Sequence, residues 1–234
     1  MLPENPIFVA LDTPDLVQAA AWAEAVRPCV GGVKLGLEFF NSNGPDGVRR
    51  IVDLGLPVFL DLKFHDIPNT VAGAVRAVAG LGAAIVNVHA SGGSAMLRAA
   101  AEAAADHGAD RPLVIAVTVL TSLDDQDLAG VGQMGPAAAQ VERLARLTQS
   151  CGLDGVVCSP AEIATLRAAC GDDFRLIVPG IRPAWASTGD QKRIMTPREA
   201  RDLGATILVI GRPITGADDP AAAAVRIMEE LEIT

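Results

Sequence analysis

Asp61-Leu62-Lys63-Phe64-His65-Asp66 sets three charges of alternating sign after the apolar run Leu56-Pro57-Val58-Phe59-Leu60. Side chains alternate faces along a strand, so Asp61 and Lys63 share one face while Leu60, Leu62 and Phe64 take the other. Asp66 follows just past the strand. Holding such charges where a strand leaves a hydrophobic core carries a heavy desolvation cost. A structural ion pair at a strand end is one reading of that cost, and a working site is the other. In a site, an ammonium flanked by carboxylates stays charged. That state suits electrostatic stabilisation and proton transfer, and it disfavours Schiff-base formation.

Other residues extend the pattern. Lys34 lies in Val33-Lys34-Leu35-Gly36, an apolar setting in which a lysine needs a partner. If the strands carrying Lys34 and Asp61 are neighbours, then Lys34, Asp61, Lys63 and Asp66 form a series of alternating sign. Arg182 stands in Pro179-Gly180-Ile181-Arg182-Pro183, and Arg212 in Ile210-Gly211-Arg212-Pro213. Glycine amides beside a guanidinium fork suit phosphate, whereas an arginine on a surface turn is the plainer use of either. Pro183–Met195 is polar and longer than a usual strand-to-helix loop, so it is a candidate lid. Thr121–Gly135 is a second long loop with less to mark it. Asp12 fits either a helix N-cap with Thr13 or a ligand contact. His65 and His89 fit structural hydrogen bonding better than catalysis.

These residues need a scaffold that gathers them. Apolar runs occur at Ile7–Leu11, Gly32–Leu35, Val58–Leu62, Ala84–Val88, Leu113–Val119, Gly155–Cys158, Leu176–Val178 and Thr206–Ile210. Each is followed by a helical pattern: Asp15–Val26, Glu38–Leu54, Ile67–Leu81, Gly93–His107, Pro136–Ser150, Pro160–Ala169, Thr196–Leu203 and Asp219–Leu231. Alternation of this kind predicts parallel βαβ units. In a chain of 234 residues it predicts a single-domain (β/α)8 TIM barrel over residues 1–234. An open doubly wound sheet would usually carry a glycine-rich turn after its first strand; here that turn reads Leu11-Asp12-Thr13-Pro14-Asp15. Chemistry in such barrels sits at the C-terminal strand ends. Asp12, Lys34, Asp61, Lys63, Arg182, Gly211 and Arg212 all fall there.

Composition bounds the partners. The net charge of −9 and pI near 4.8 argue against nucleic acid or an anionic membrane. Half of the residues are hydrophobic and the mean hydropathy is +0.33, as a sheet buried on both faces requires. No apolar run reaches the ~18 residues of a membrane span. With no signal-like N-terminus, a cytoplasmic location is expected. Cys29, Cys151, Cys158 and Cys170 form no C-x-x-C pair, so buried reduced thiols are expected and no metal site is legible.

With these pieces assembled, the chain resembles the orotidine 5′-phosphate decarboxylase family nearly end to end. The resemblance rests on Asp61-Leu62-Lys63-Phe64-His65-Asp66-Ile67-Pro68-Asn69-Thr70, Pro179–Pro183, Gly189-Asp190-Gln191-Lys192-Arg193 and Ile210–Ile214. It implies decarboxylation of orotidine 5′-phosphate to UMP without a cofactor or metal. Lys63 would protonate C6, Asp61 would lie beside the departing carboxylate, and Lys34 and Asp12 would contact the ribose. Thr121 would lie near the pyrimidine. Arg182, Gln191, Gly211 and Arg212 would engage the phosphate. Asp66 and Thr70 would reach into a neighbouring subunit's site, making a homodimer with shared sites. Two alternatives remain: a metal-dependent sugar-phosphate lyase on a related barrel, which shares the shorter Asp-x-Lys-x-x-Asp core, and a non-catalytic sensor of phosphate metabolites.

Overall fold

The structure is a computed structural model that describes residues 3–133, 135–186 and 195–233. Eight parallel strands close into a barrel in chain order: β1 (Ile7–Ala10), β2 (Gly32–Leu35), β3 (Val58–Phe64), β4 (Ile85–His89), β5 (Leu113–Val117), β6 (Gly155–Val157), β7 (Arg175–Val178) and β8 (Ile207–Ile210). The expected (β/α)8 architecture is therefore present. Helices α1 (Leu16–Val26), α2 (Leu37–Val52), α3 (Pro68–Ala79) and α4 (Gly93–Ala105) follow β1 to β4 in turn. After β5 come α5 (Asp125–Gly130) and α6 (Ala137–Ser150); α7 (Ile163–Cys170) follows β6 and α8 (Pro197–Asp202) follows β7. Beyond β8 lie α9 (Arg212–Thr215) and α10 (Pro220–Glu230).

Two layers of apolar side chains arise from the period of two along each strand. Val9, Val33, Leu60, Val86, Val114, Val156 and Leu208 face outward and pack with the helices. Phe8, Phe59, Ile85, Ile115, Ile177 and Ile207 face inward and fill the barrel. Gly32 makes room for this plug, because a Cβ there would sit 2.5 Å from the Phe8 ring.

The next inward positions up each strand form a second tier. Two residues beyond Ala10, Gly32, Phe59 and Ile85 stand Asp12, Lys34, Asp61 and Asn87. Two beyond Ile115, Gly155, Ile177 and Val209 stand Val117, Val157, Pro179 and Gly211. One half of the mouth is thus polar and the other apolar, and this division frames the site.

Several local expectations need amending. The Thr121–Gly135 loop contains α5, started by an Asp124–Asp127 capping box. The expected helix over Glu38–Leu54 is kinked at Gly44 (φ 61°), just before Pro45. α9 was absent from the sequence pattern because four residues are too short to show a helical period. The cysteines are all free, and burial raises the pKa of the Cys158 thiol.

Candidate active site

Asp61 is the centre of the polar half. Its Oδ1 accepts from Lys63 Nζ at 2.7 Å and from Asn87 Nδ2 at 2.7 Å. Its Oδ2 lies 3.5 Å from Lys34 Nζ. Lys34 in turn reaches Asp12 Oδ1 at 3.0 Å. Burial alone would raise the Asp61 pKa. The two ammonium groups, with the hydrogen bonds from Lys63 and Asn87, outweigh that effect and hold it below the usual carboxylate range. Gly36 borders the chain of charges: a Cβ there would lie 3.3 Å from Lys34 Nζ and 3.5 Å from Asp12 Oδ1.

The series of charges differs from the expected one at both ends. It runs Asp12–Lys34–Asp61–Lys63, with Asp12 as its outer carboxylate. Asp12 therefore contacts the site and does not cap α1. That cap is Asp15, which accepts from Val17 N at 2.8 Å and Gln18 N at 3.2 Å. Asp66 does not flank Lys63 in its own chain: it is exposed, and its Oδ1 accepts from Ile67 N at 2.7 Å. Thr70 is exposed on the first turn of α3, beside an Ile67 that is 67 % exposed.

Lys63 does not sit on a regular strand. Its φ is +53°, a conformation that costs a non-glycine residue roughly 1–3 kcal/mol. The β3–β4 ladder pairs Leu60 with Val86 and then Phe64 with Val88, so extra β3 residues bulge outward from the pairing. Bulges near active sites re-aim side chains. Here the bulge lets Lys63 turn back onto Asp61 while Phe64 rejoins the outer core.

A cavity of about 200 Å³ adjoins this network. Lys34, Asp61 and Lys63 form one side of it; Phe59, Val157 and Ile177 are among its apolar walls, and Thr121 lies on its lining. A second cavity, of about 230 Å³, is lined by Arg182, Trp185, Arg212 and Pro213. β7 leads to both Pro179 of the first cavity and Arg182 of the second. Three residues span at most about 11 Å, so the cavities are close neighbours. Arg182 is buried, with its Nη1 donating to Ile181 O at 2.9 Å, whereas Arg212 is exposed. Gly211 lies against β1, since a Cβ there would be 3.4 Å from Ala10 Cβ. Gln191, with most of the Pro183–Met195 segment, lies outside the described residues.

His65 and His89 make no side-chain hydrogen bond with any other described residue. Among the described residues their rings instead pair with each other, 5.4 Å apart and tilted by 34°. Asn87 was not among the expected site residues. A polar side chain inside an apolar strand, two residues before a histidine, was the one available signal.

A closed barrel with a tethered charge network and paired arginines at its mouth defines a class that binds anionic small molecules at the strand ends. Comparison with known proteins narrows the class. The family model described as "Orotidine 5'-phosphate decarboxylase / HUMPS family" matches residues 5–227. The orotidine 5′-phosphate decarboxylase of Paramagnetospirillum magneticum is 57 % identical over 231 residues, covering 97 % of this chain and 98 % of that one. That of Rhodospirillum rubrum is 58 % identical over 233 residues, covering 97 % and 94 %. The crystal structure of the Lactobacillus acidophilus orotidine 5′-phosphate decarboxylase is 39 % identical with a TM-score of 0.86, covering 97 % and 99 %. The chain belongs to the orotidine 5′-phosphate decarboxylase / HUMPS family.

The histidine pair generates a pH prediction. Burial, then the neighbouring His65 and Lys63, lower the His89 pKa against the pull of Asp61. The folded protein thus holds His89 neutral below the pH at which the unfolded chain binds a proton, about 6.5. The resulting stability is complete above that pH and is lost as pH falls through the lower folded value. Urea unfolding from pH 7 downward should show a shallower loss of stability in His89→Gln than in wild type. Equal slopes would show that His89 does not titrate differently in the two states.

Proposed function

We propose that Lys63 is the proton donor in the reaction of this chain, the decarboxylation of orotidine 5′-phosphate to UMP. The observation that carries this reading is the Lys63 ammonium, tied to Asp61 at 2.7 Å on the side of an apolar-walled cavity. The bond from C6 to the carboxylate breaks and CO₂ leaves, so the electron pair stays on C6. With no cofactor to delocalise it, that pair is stabilised by the fixed ammonium, which then supplies the proton. Asp61 beside the substrate carboxylate is repulsive at the start, and the repulsion is relieved as CO₂ departs.

Lys34 and Asp12 are the ribose contacts in this reading, and Thr121 approaches the pyrimidine. Arg182, Gln191, Gly211 and Arg212 hold the phosphate, whose binding energy can be used to position and dry the reacting end. Asp61 is taken up by two ammonium groups, and the more exposed Asp12 shares Lys34 with it. The exposed Asp66 and Thr70 support a homodimer in which each subunit completes its neighbour's site. A cytoplasmic location goes with the reading.

Lys63→Ala should abolish CO₂ release from orotidine 5′-phosphate while UMP still binds. Turnover near the wild-type rate would remove Lys63 from the proton-donor role. Shared sites make a separate claim. Lys63→Ala and Asp66→Asn subunits, each inactive alone, should partly restore activity when mixed, because one site of each mixed dimer carries neither defect. No recovery in mixed dimers shown to form would contradict sharing.

Arg212 can be tested through its partner group. Losing a charge-assisted contact costs roughly 2–3 kcal/mol, so Arg212→Ala should lose about 30- to 150-fold in kcat/KM. With orotidine, which lacks the phosphate, the same substitution should change little. An equal loss on both substrates would show that Arg212 supports the barrel and not the phosphate.

A further inference from the structure

We infer that Asn87 is a positioning residue of this reaction: its carboxamide clamps the Asp61 carboxylate to the Lys63 backbone and so fixes where the Lys63 ammonium points. The inference rests on the proposed role of Lys63.

The clamp is built from both ends of one amide. Asn87 Nδ2 donates to Asp61 Oδ1 at 2.7 Å, and Asn87 Oδ1 accepts from Lys63 N at 2.8 Å. Asn87 is fully buried, at 0 % exposure, where an unpaired amide would be costly. Only one orientation of the carboxamide serves both partners, since a backbone N–H needs an acceptor and a carboxylate needs a donor.

The bulge explains why a side chain does this work. Asn87 lies between Val86 and Val88, the β4 residues that pair with Leu60 and Phe64 on either side of the bulge. The Lys63 N–H faces that break in the ladder, and the Asn87 carbonyl takes the place of a strand partner. It thereby holds Lys63 in its left-handed conformation, φ +53°. Alanine would strip both partners, and aspartate would face Asp61 with a like charge. Serine keeps a single hydroxyl, too short to reach both.

Asn87 touches no substrate atom in this account, so its loss should separate chemistry from binding. A displacement of the ammonium by about 1 Å can cost on the order of 100-fold in rate. In Asn87→Ala, kcat for orotidine 5′-phosphate should fall by about that factor while the Kd for UMP stays within about threefold of wild type. Exchange of the UMP C6 hydrogen in D₂O reads proton transfer without decarboxylation, and it should fall in step with kcat. Asn87→Ser, which keeps one hydrogen-bonding group, should fall between, and it carries the test if Asn87→Ala does not fold. A folded variant with kcat near wild type would overturn the inference. So would equal losses in kcat and UMP affinity, which mark a general structural defect. If wild type releases no CO₂, the reading of the reaction fails first, independently of Asn87.

Discussion

A carboxylate placed just above a barrel's apolar plug must be compensated on several sides or it will not stay charged. Asp61 is 9 % exposed, and dehydrating such a group costs several kcal/mol. Lys63 and Asn87 hold one of its oxygens and Lys34 approaches the other. Each donor arrives from a different place: β2, the end of β3 and β4. The requirement to satisfy Asp61 therefore fixes the relative positions of three strands at the mouth. Lys34 is passed on to Asp12 beyond β1, which extends the same constraint to a fourth. The bulge in β3 and the positive φ of Lys63 belong to this economy, because a regular strand would continue up the barrel wall instead of returning Lys63 to Asp61.

The other half of the mouth is built on the opposite principle. Val117, Val157, Ile177 and Val209 offer no hydrogen-bonding side chain to the cavity. A charge developing there meets little competition from protein dipoles other than those of the network. In such surroundings the interaction between an anion and a fixed ammonium is much stronger than in water. Arg182 and Arg212 stand apart from that zone, in the adjoining cavity. In the proposed reading, this division lets a ligand be gripped by a remote anionic group while its reacting end sits between Lys63 and an apolar wall.

Much of this was legible in the sequence because two periodicities coincide. The period of two along each strand sorts Leu60 and Leu62 to the helices and Phe59 and Asp61 to the interior, and the strand–helix alternation closes the barrel. What escaped was governed by contacts between elements. The bulge depends on pairing between β3 and β4, so the path of Lys63 could not be seen in β3 alone. Asn87 reads as one polar residue in an apolar run, and its two partners lie 24 and 26 positions away. The sequence leaves Asp12 between N-cap and site contact, and the structure decides it by giving the α1 cap to Asp15. Asp66 continues the alternating series in sequence, but the chain turns into α3 and carries it outward.

The overall charge sharpens the role of the mouth. The chain carries a net charge of −9, and its proposed substrate is itself an anion with a carboxylate and a phosphate. At long range the two repel. Salt screens that repulsion over about 8 Å at physiological ionic strength, so an approaching ligand senses mainly the groups near it. At the mouth these include Lys34, Lys63, Arg182 and Arg212. In the proposed reading the phosphate belongs to the arginine cavity, with Arg212 on its exposed side. A remote cationic subsite of that kind offsets the long-range repulsion and leaves Lys63 to act on the reacting end.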